Sequence, residues 1–218
     1  MQTMETRPAP QATRANPLLT QLRSATLKSH RQIERNPRLA RLFEPGLSHS
    51  RYRDLLARLL GFYEPVEFIL ADLPSRIAVA DRSVVERATA ERWKTPWLRQ
   101  DLSVLGLSEQ AIAELPRASV AETPQIEDLP QAVGCLYVLE GATMGGTLIS
   151  RHLHATLGVT PETGGRFYDG YGPGNGRMWG CFRQQLANLE MGAPQTLKMT
   201  SSAIETFSCL DHWLISKE

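Results

Sequence analysis

Cysteine is scarce in this chain. Cys135, Cys181 and Cys209 are odd in number and far apart. That argues against a disulfide framework and fits buried thiols in a reducing compartment, so the cytoplasm is the expected location. Charge of one sign is also lacking. The formal net charge is only +1, which does not suggest a general nucleic-acid-binding surface. No apolar run approaches the length of a membrane span, and the N-terminus lacks the apolar core of a secretory signal. The metalloprotease pair HExxH, the CxxC motif and the nucleophile elbow GxSxG are all missing. No segment sustains period-two alternation, so the expected fold class is all-α: helices bundled around one core with short connections.

The most informative stretch is residues 128–157. Its apolar spacing is helical (Val133, Leu136, Leu139/Glu140, Leu148, Ile149, Leu153), yet Gly141, Gly145 and Gly146 sit in its middle. Each glycine costs a helix about 1 kcal/mol relative to alanine. Gly141 and Gly145 are four apart and share a face, and Gly134, seven residues earlier, falls on it too. A side-chain-free stripe lets something approach the backbone or lets the helix bend. Close packing of another helix, a flat ligand and a functional kink are all open readings.

Around this helix the chain reads in order. Residues 1–15 show no periodicity and are expected to be a disordered tail, with one helical domain over 16–218. Asn16-Pro17 is a helix start, and the first helix is expected to run to about Asn36. A short helix follows from Pro37 to about Phe43. A long one runs from His49 or Ser50 to Leu73, with Pro65 as a point where it can kink. Asp81–Arg92, Trp97–Leu105 and Ser108–Leu115 follow, then an extended connection over 116–127. The glycine-rich run from Gly158 to Gly176 lacks a GKS or GKT ending and is expected to be a surface loop. Helices over Arg177–Leu189 and Pro194–Ile215 complete the chain.

On the first helix Leu19, Leu22, Thr26, His30 and Ile33 follow helical steps along one side, which places His30 on the inward-facing surface. A lone histidine there is usually a hydrogen-bonded core residue. Glu34, one turn on, can accept a hydrogen bond from one ring nitrogen and leave the other free for a metal. Arg23 lies two turns earlier, about 10 Å along the axis. For both charges alone, a surface salt bridge is the simpler reading. His152 lies seven residues after Gly145 and is the rival ligand; His154 points elsewhere, and His49 and His212 read as surface or helix-end residues. Two helices of this kind would sandwich a planar macrocycle, with imidazole holding its iron from one face.

The chain resembles the heme oxygenases, and most of all the bacterial branch associated with bacteriophytochromes. The resemblance is carried by Leu22-Arg23-x-Ala25-Thr26-x-x-x-His30-x-x-Ile33-Glu34, by Tyr52 to Glu67, and by Gly134 to Gly146, with a weaker match at Trp179-x-x-Phe182-Arg183-x-x-Leu186. It implies a single-domain bundle with heme b between the first helix and a glycine-kinked distal helix. It implies His30 as the proximal iron ligand and Glu34 as the carboxylate beside it. Gly141, Gly145 and Gly146 would line the distal side, the first two as the catalytic glycines. Arg23, Arg183 and, more loosely, Arg177 would contact the propionates. The implied reaction is cleavage of heme to biliverdin, carbon monoxide and ferrous iron. It uses O2 and electrons from a ferredoxin or flavoprotein reductase, with a bacteriophytochrome as a receiver of biliverdin. Two positions depart from the animal enzymes: Ala142 replaces a distal aspartate, and Trp179 replaces a propionate-binding lysine.

Other functions stand beside this one. A non-catalytic heme carrier or sensor would keep His30 and the glycines, and Ala142 allows it. A thiaminase-like helical enzyme without heme would need a cysteine or carboxylates in the bundle, with Cys135 as the candidate. Visible spectra with hemin separate the three.

Overall fold

The computed structural model describes residues 16–216; the expected disordered tail at 1–15 lies outside them. Within that range the chain is helical and contains no strand. The helices are α1 (Pro17–Ile33), α2 (Pro37–Ala40), α3 (His49–Arg76), α4 (Val79–Thr89), α5 (Thr95–Val104), α6 (Glu109–Glu114), α7 (Leu129–Leu157), α8 (Arg166–Asp169), α9 (Asn175–Ala187) and α10 (Ala193–Ile215).

Local chemistry sets the helix ends. The Asn16 side chain accepts from the Leu18 amide at 2.8 Å, and Pro17 opens α1. α1 stops at Ile33, three residues short of expectation, because Asn36 precedes a proline and takes an extended ψ of 128°. Asn36 caps α2 by accepting from the Arg38 amide at 3.0 Å, and its amide group donates to Asp211 of α10 at 2.7 Å. Gln32 donates to the other Asp211 oxygen at 2.8 Å. The α1–α2 corner is thereby fastened to the last helix. α3 runs unbroken through Pro65.

α7 is the central helix. Asp128 caps its start, accepting from Gln131 at 3.1 Å. Gly158 ends it in the left-handed region, at φ 68°. α7 remains one α-helix throughout, glycines included. Its length and composition alone would let it cross a membrane, with a mean hydropathy of 1.4, unlike what the sequence suggested. Just over half of that window, 56%, is buried. It packs chiefly on α10, with α8, α4 and α9 also against it.

The stretch from 158 to 176 is not a surface loop. It holds an irregular turn at Pro161–Gly165, then α8, then a 3-10 turn at Gly172–Gly174. Gly164, Gly165 and Tyr168 are buried. Tyr52 donates its hydroxyl to the Gly164 carbonyl at 2.9 Å. The buried Asp101 carboxylate accepts from the amides of Arg166 at 2.9 Å and Phe167 at 2.8 Å. Aromatic anchors and one buried carboxylate override the loop signal of the glycines.

Candidate functional site

α1 and α7 both lie against α10 and α9, which form a common floor beneath them. Each helix presents an open strip. On α1 the strip is Arg23, Leu27, His30 and Glu34, spaced by four, three and four residues, and all are exposed. His30 is not inward-facing in the sense of the core: its side chain is 58% exposed. Its ring meets the buried Phe207 of α10 edge-on, with centroids 5.9 Å apart. Its Nδ1 lies 3.4 Å from Glu34 Oε1, long for a charge-assisted hydrogen bond.

On α7 the strip is Gly141, Met144, Gly145 and Leu148. A Cβ built on Gly145 would meet nothing within 4 Å, and one on Gly141 would meet only Trp179, at 3.9 Å. Trp179 of α9 stacks on Phe182 at 5.7 Å and tilts against Tyr137 at 5.7 Å, making an aromatic wall beside Gly141. Leu27, Met144 and Leu148 are 47%, 44% and 67% exposed. Large apolar side chains bared along two helices that share a floor are what an apolar ligand would cover.

The other two glycines are covered by neighbouring backbone, Gly134 on the same face but nearer the helix start and Gly146 on another face. A Cβ on Gly134 would sit 2.2 Å from the Met199 carbonyl of α10. One on Gly146 would sit 2.6 Å from the Tyr168 carbonyl of α8. Gly146 was expected on the ligand side; a one-residue step from Gly145 turns it by about 100° into the core. The stripe therefore divides into two packing glycines and two open ones.

Arg23, Arg177 and Arg183 are exposed, and none joins an ion pair among the described residues. His152, the rival ligand, is occupied: its Nε2 lies 2.9 Å from the Leu42 carbonyl and its ring rests on Phe43. His49 and His212 are exposed, at the start of α3 and in the last turn of α10. Cys135 is buried, and burial pushes its thiol up to about 12, which leaves it unreactive. Cys181 is exposed, contrary to the expectation of three buried thiols. No group of three or more His, Cys, Asp and Glu side chains suited to a metal occurs among the described residues. A cavity of about 800 Å³ lies apart, between the start of α1 and the α9–α10 turn, and no strip residue lines it.

One cluster escaped sequence reasoning. Behind the open strip, Glu140 is 1% exposed and accepts from Arg92 at 2.7 Å, Lys94 at 2.6 Å and the Tyr171 hydroxyl at 2.8 Å. Lys94, 2% exposed, also donates to the Arg92 carbonyl at 2.9 Å and to Tyr171 at 2.6 Å. Burial lowers the Lys94 pKa, against the raising pull of Glu140. Glu67 accepts from the amides of Lys94 at 2.6 Å and Thr95 at 3.0 Å at the start of α5, and burial raises its pKa. The available signal was a carboxylate at an apolar position of the most apolar helix.

The comparisons with known proteins agree with this fold. The heme oxygenase family model matches residues 16–215. The chain belongs to the heme oxygenase family. No curated protein matches it by sequence. Among solved structures, a heme oxygenase from Leptospira interrogans superposes with a TM-score of 0.72 at 18% identity, covering 90% of this chain and 98% of that one. A heme oxygenase from Neisseria meningitidis, solved with NO and CO bound, gives 0.71 at 21%, covering 92% and 91%. Heme oxygenase-1 from the cyanobacterium Synechocystis, solved in complex with heme, gives 0.70 at 17%, covering 92% and 91%. At these identities the superpositions speak for the fold alone.

Proposed function

We propose that this chain binds heme b between α1 and α7 and cleaves it to biliverdin, carbon monoxide and ferrous iron. The observation that carries the reading is the pair of open strips on one floor, a histidine on one and two bare glycines on the other. A flat, largely apolar dicarboxylate macrocycle suits them. Leu27, Met144 and Leu148 would meet its faces, and Arg23, Arg183 and Arg177 would pair its propionates.

His30 would hold the iron through Nε2, since Nδ1 is turned to Glu34 at 3.4 Å. That contact is too long to lend the ring much imidazolate character, and an imidazole ligand is a weaker electron donor than a thiolate. Phe207 holds the ring edge-on and limits its rotation. When bound, heme supplies the iron that activates O2 and the carbon that is oxidised. Gly141 and Gly145 leave room for O2 and water and expose helix backbone to them. Ala142 offers no acid, so protons would reach the strip through water held by backbone groups. Trp179 closes the side next to Gly141 against bulk solvent.

Electrons would come from a ferredoxin or flavoprotein reductase. Residues 16–53 carry eight Lys and Arg against two Glu, although the whole chain is nearly neutral. None of those eight cations joins an ion pair among the described residues. An acidic donor protein suits so basic a segment. A bacteriophytochrome is the receiver we propose for biliverdin, in the cytoplasm.

The test is a visible spectrum with one equivalent of hemin, followed in air after a reductant is added, with His30→Ala alongside. Decay of the Soret band with growth of a broad red absorption supports cleavage, and the variant should lose turnover or the ligated spectrum. A Soret band that survives reduction would leave a heme carrier or sensor. No Soret shift at all would end the heme reading.

A further inference from the structure

We propose that Glu140 is a positioning residue, whose clamped carboxylate fixes the direction in which the open strip of α7 faces. The proposal rests on the heme reading given above. Glu140 immediately precedes Gly141. Successive helix residues are turned by about 100°, so a side chain held rigidly on the buried face sets where the next residue points. The open strip has little packing of its own to set that direction: Gly141 meets one ring at 3.9 Å and Gly145 meets nothing. Its glycines also soften the helix. Thr143 adds to this, since its hydroxyl bonds the Glu140 carbonyl at 2.6 Å and competes with the helix ladder.

The clamp is directional where an apolar contact would not be. Both Glu140 oxygens are used, one by Arg92 and one by Lys94 and Tyr171. Arg92 and Lys94 come from the α4–α5 link and Tyr171 from the glycine-rich stretch before α9. Arg92 reaches on to the Met178 carbonyl of α9 at 3.3 Å. The clamp thus ties α7 to the neighbour that carries Trp179. A leucine at 140 would fill the space and leave rotation about the helix axis less defined.

The test compares full-length wild type, Glu140→Gln, Lys94→Met and the double variant. Three quantities are read: hemin affinity by Soret titration, amide exchange of residues 141–146 in the apo protein, and the thermal midpoint. Glu140→Gln should weaken hemin binding at least tenfold and speed exchange over 141–146. The double variant removes one negative and one positive buried charge. It should recover much of the thermal midpoint but not the affinity or the slow exchange, because the directional bonds stay lost. Hemin binding by Glu140→Gln within twofold of wild type, with unchanged exchange, would overturn the proposal. So would a double variant whose affinity returns in step with its midpoint, which would make Glu140 a charge-balancing group for the fold. If wild type itself fails to bind hemin, the heme reading fails, and apo exchange alone then decides whether Glu140 orders the strip.

Discussion

Two pairs of glycines on one helix do opposite things. Gly134 and Gly146 let other backbone come close, α10 in one case and α8 in the other. Gly145 has nothing of the protein against it, and Gly141 only the edge of the Trp179 ring. In the sequence the four look alike. Only their neighbours separate a glycine that stabilises the fold from one that costs stability and leaves space.

The largest predicted effects attack the packing pair. Gly134→Ala would set a methyl 2.2 Å from the Met199 carbonyl, and neither helix backbone can move without the other. A loss of about 3 kcal/mol in unfolding free energy is expected from denaturant titration, the upper end for overpacking. An unchanged urea midpoint would show that α7 and α10 are farther apart than described.

A second effect of similar size concerns the support of Gly146. α8 is held by the Asp101 carboxylate, which burial pushes up to about 6 from 3.8, against its hydrogen bonds from Phe167 and Arg166. The folded protein then keeps a proton that the unfolded chain releases. This group's contribution is full below the unfolded value and is lost as pH rises through about 6. Stability should fall by about 3 kcal/mol across that window. Asp101→Asn, neutral throughout, should flatten the pH profile of the thermal midpoint between about 4 and 6 relative to wild type. Parallel profiles would show that Asp101 ionises as freely in the fold as in the unfolded chain.

The open pair is predicted to respond in the other direction. Gly145→Ala should stabilise the apo protein by up to about 1 kcal/mol through helix propensity while weakening hemin binding and turnover. A stabilised variant with undiminished turnover would break the comparison. The smallest effect sits across the gap. Glu34→Ala should change stability by less than about 0.5 kcal/mol, since both partners of the His30 contact are more than half exposed. A larger loss by thermal melt would mean that the contact organises α1.

The fold class was legible because helical periodicity is a local signal, and Asn16-Pro17, Asn36-Pro37 and Ser108 mark helix starts without help from distant residues. His30, Gly141 and Gly145 drew notice in the sequence because their types are out of place where they stand, and the structure leaves all three uncovered by other backbone. Gly146 was expected beside Gly145, although a step of about 100° already turns it from that face; what a helix read by itself could not show is that the Tyr168 backbone covers it. Glu140 was overlooked for the same reason: Lys94 and Arg92 lie 46 and 48 residues away in the chain. The packed segment from 158 to 176 was hidden by composition, since glycine marks turns whether or not Tyr52 and Asp101 wait to receive them.

The corner at Gln32 and Asn36 has a consequence for the order of assembly. Its anchor, Asp211, lies 179 residues beyond Gln32 in the chain. The helix carrying His30 is synthesised well before its seat, because α10 must exist before α1 can dock on it. A nascent chain can build α7 and its buried clamp while its histidine still drifts on an unattached helix. The floor shared by the two strips closes only when α10 is in place, so the relation between them depends on the helix that follows both in the chain.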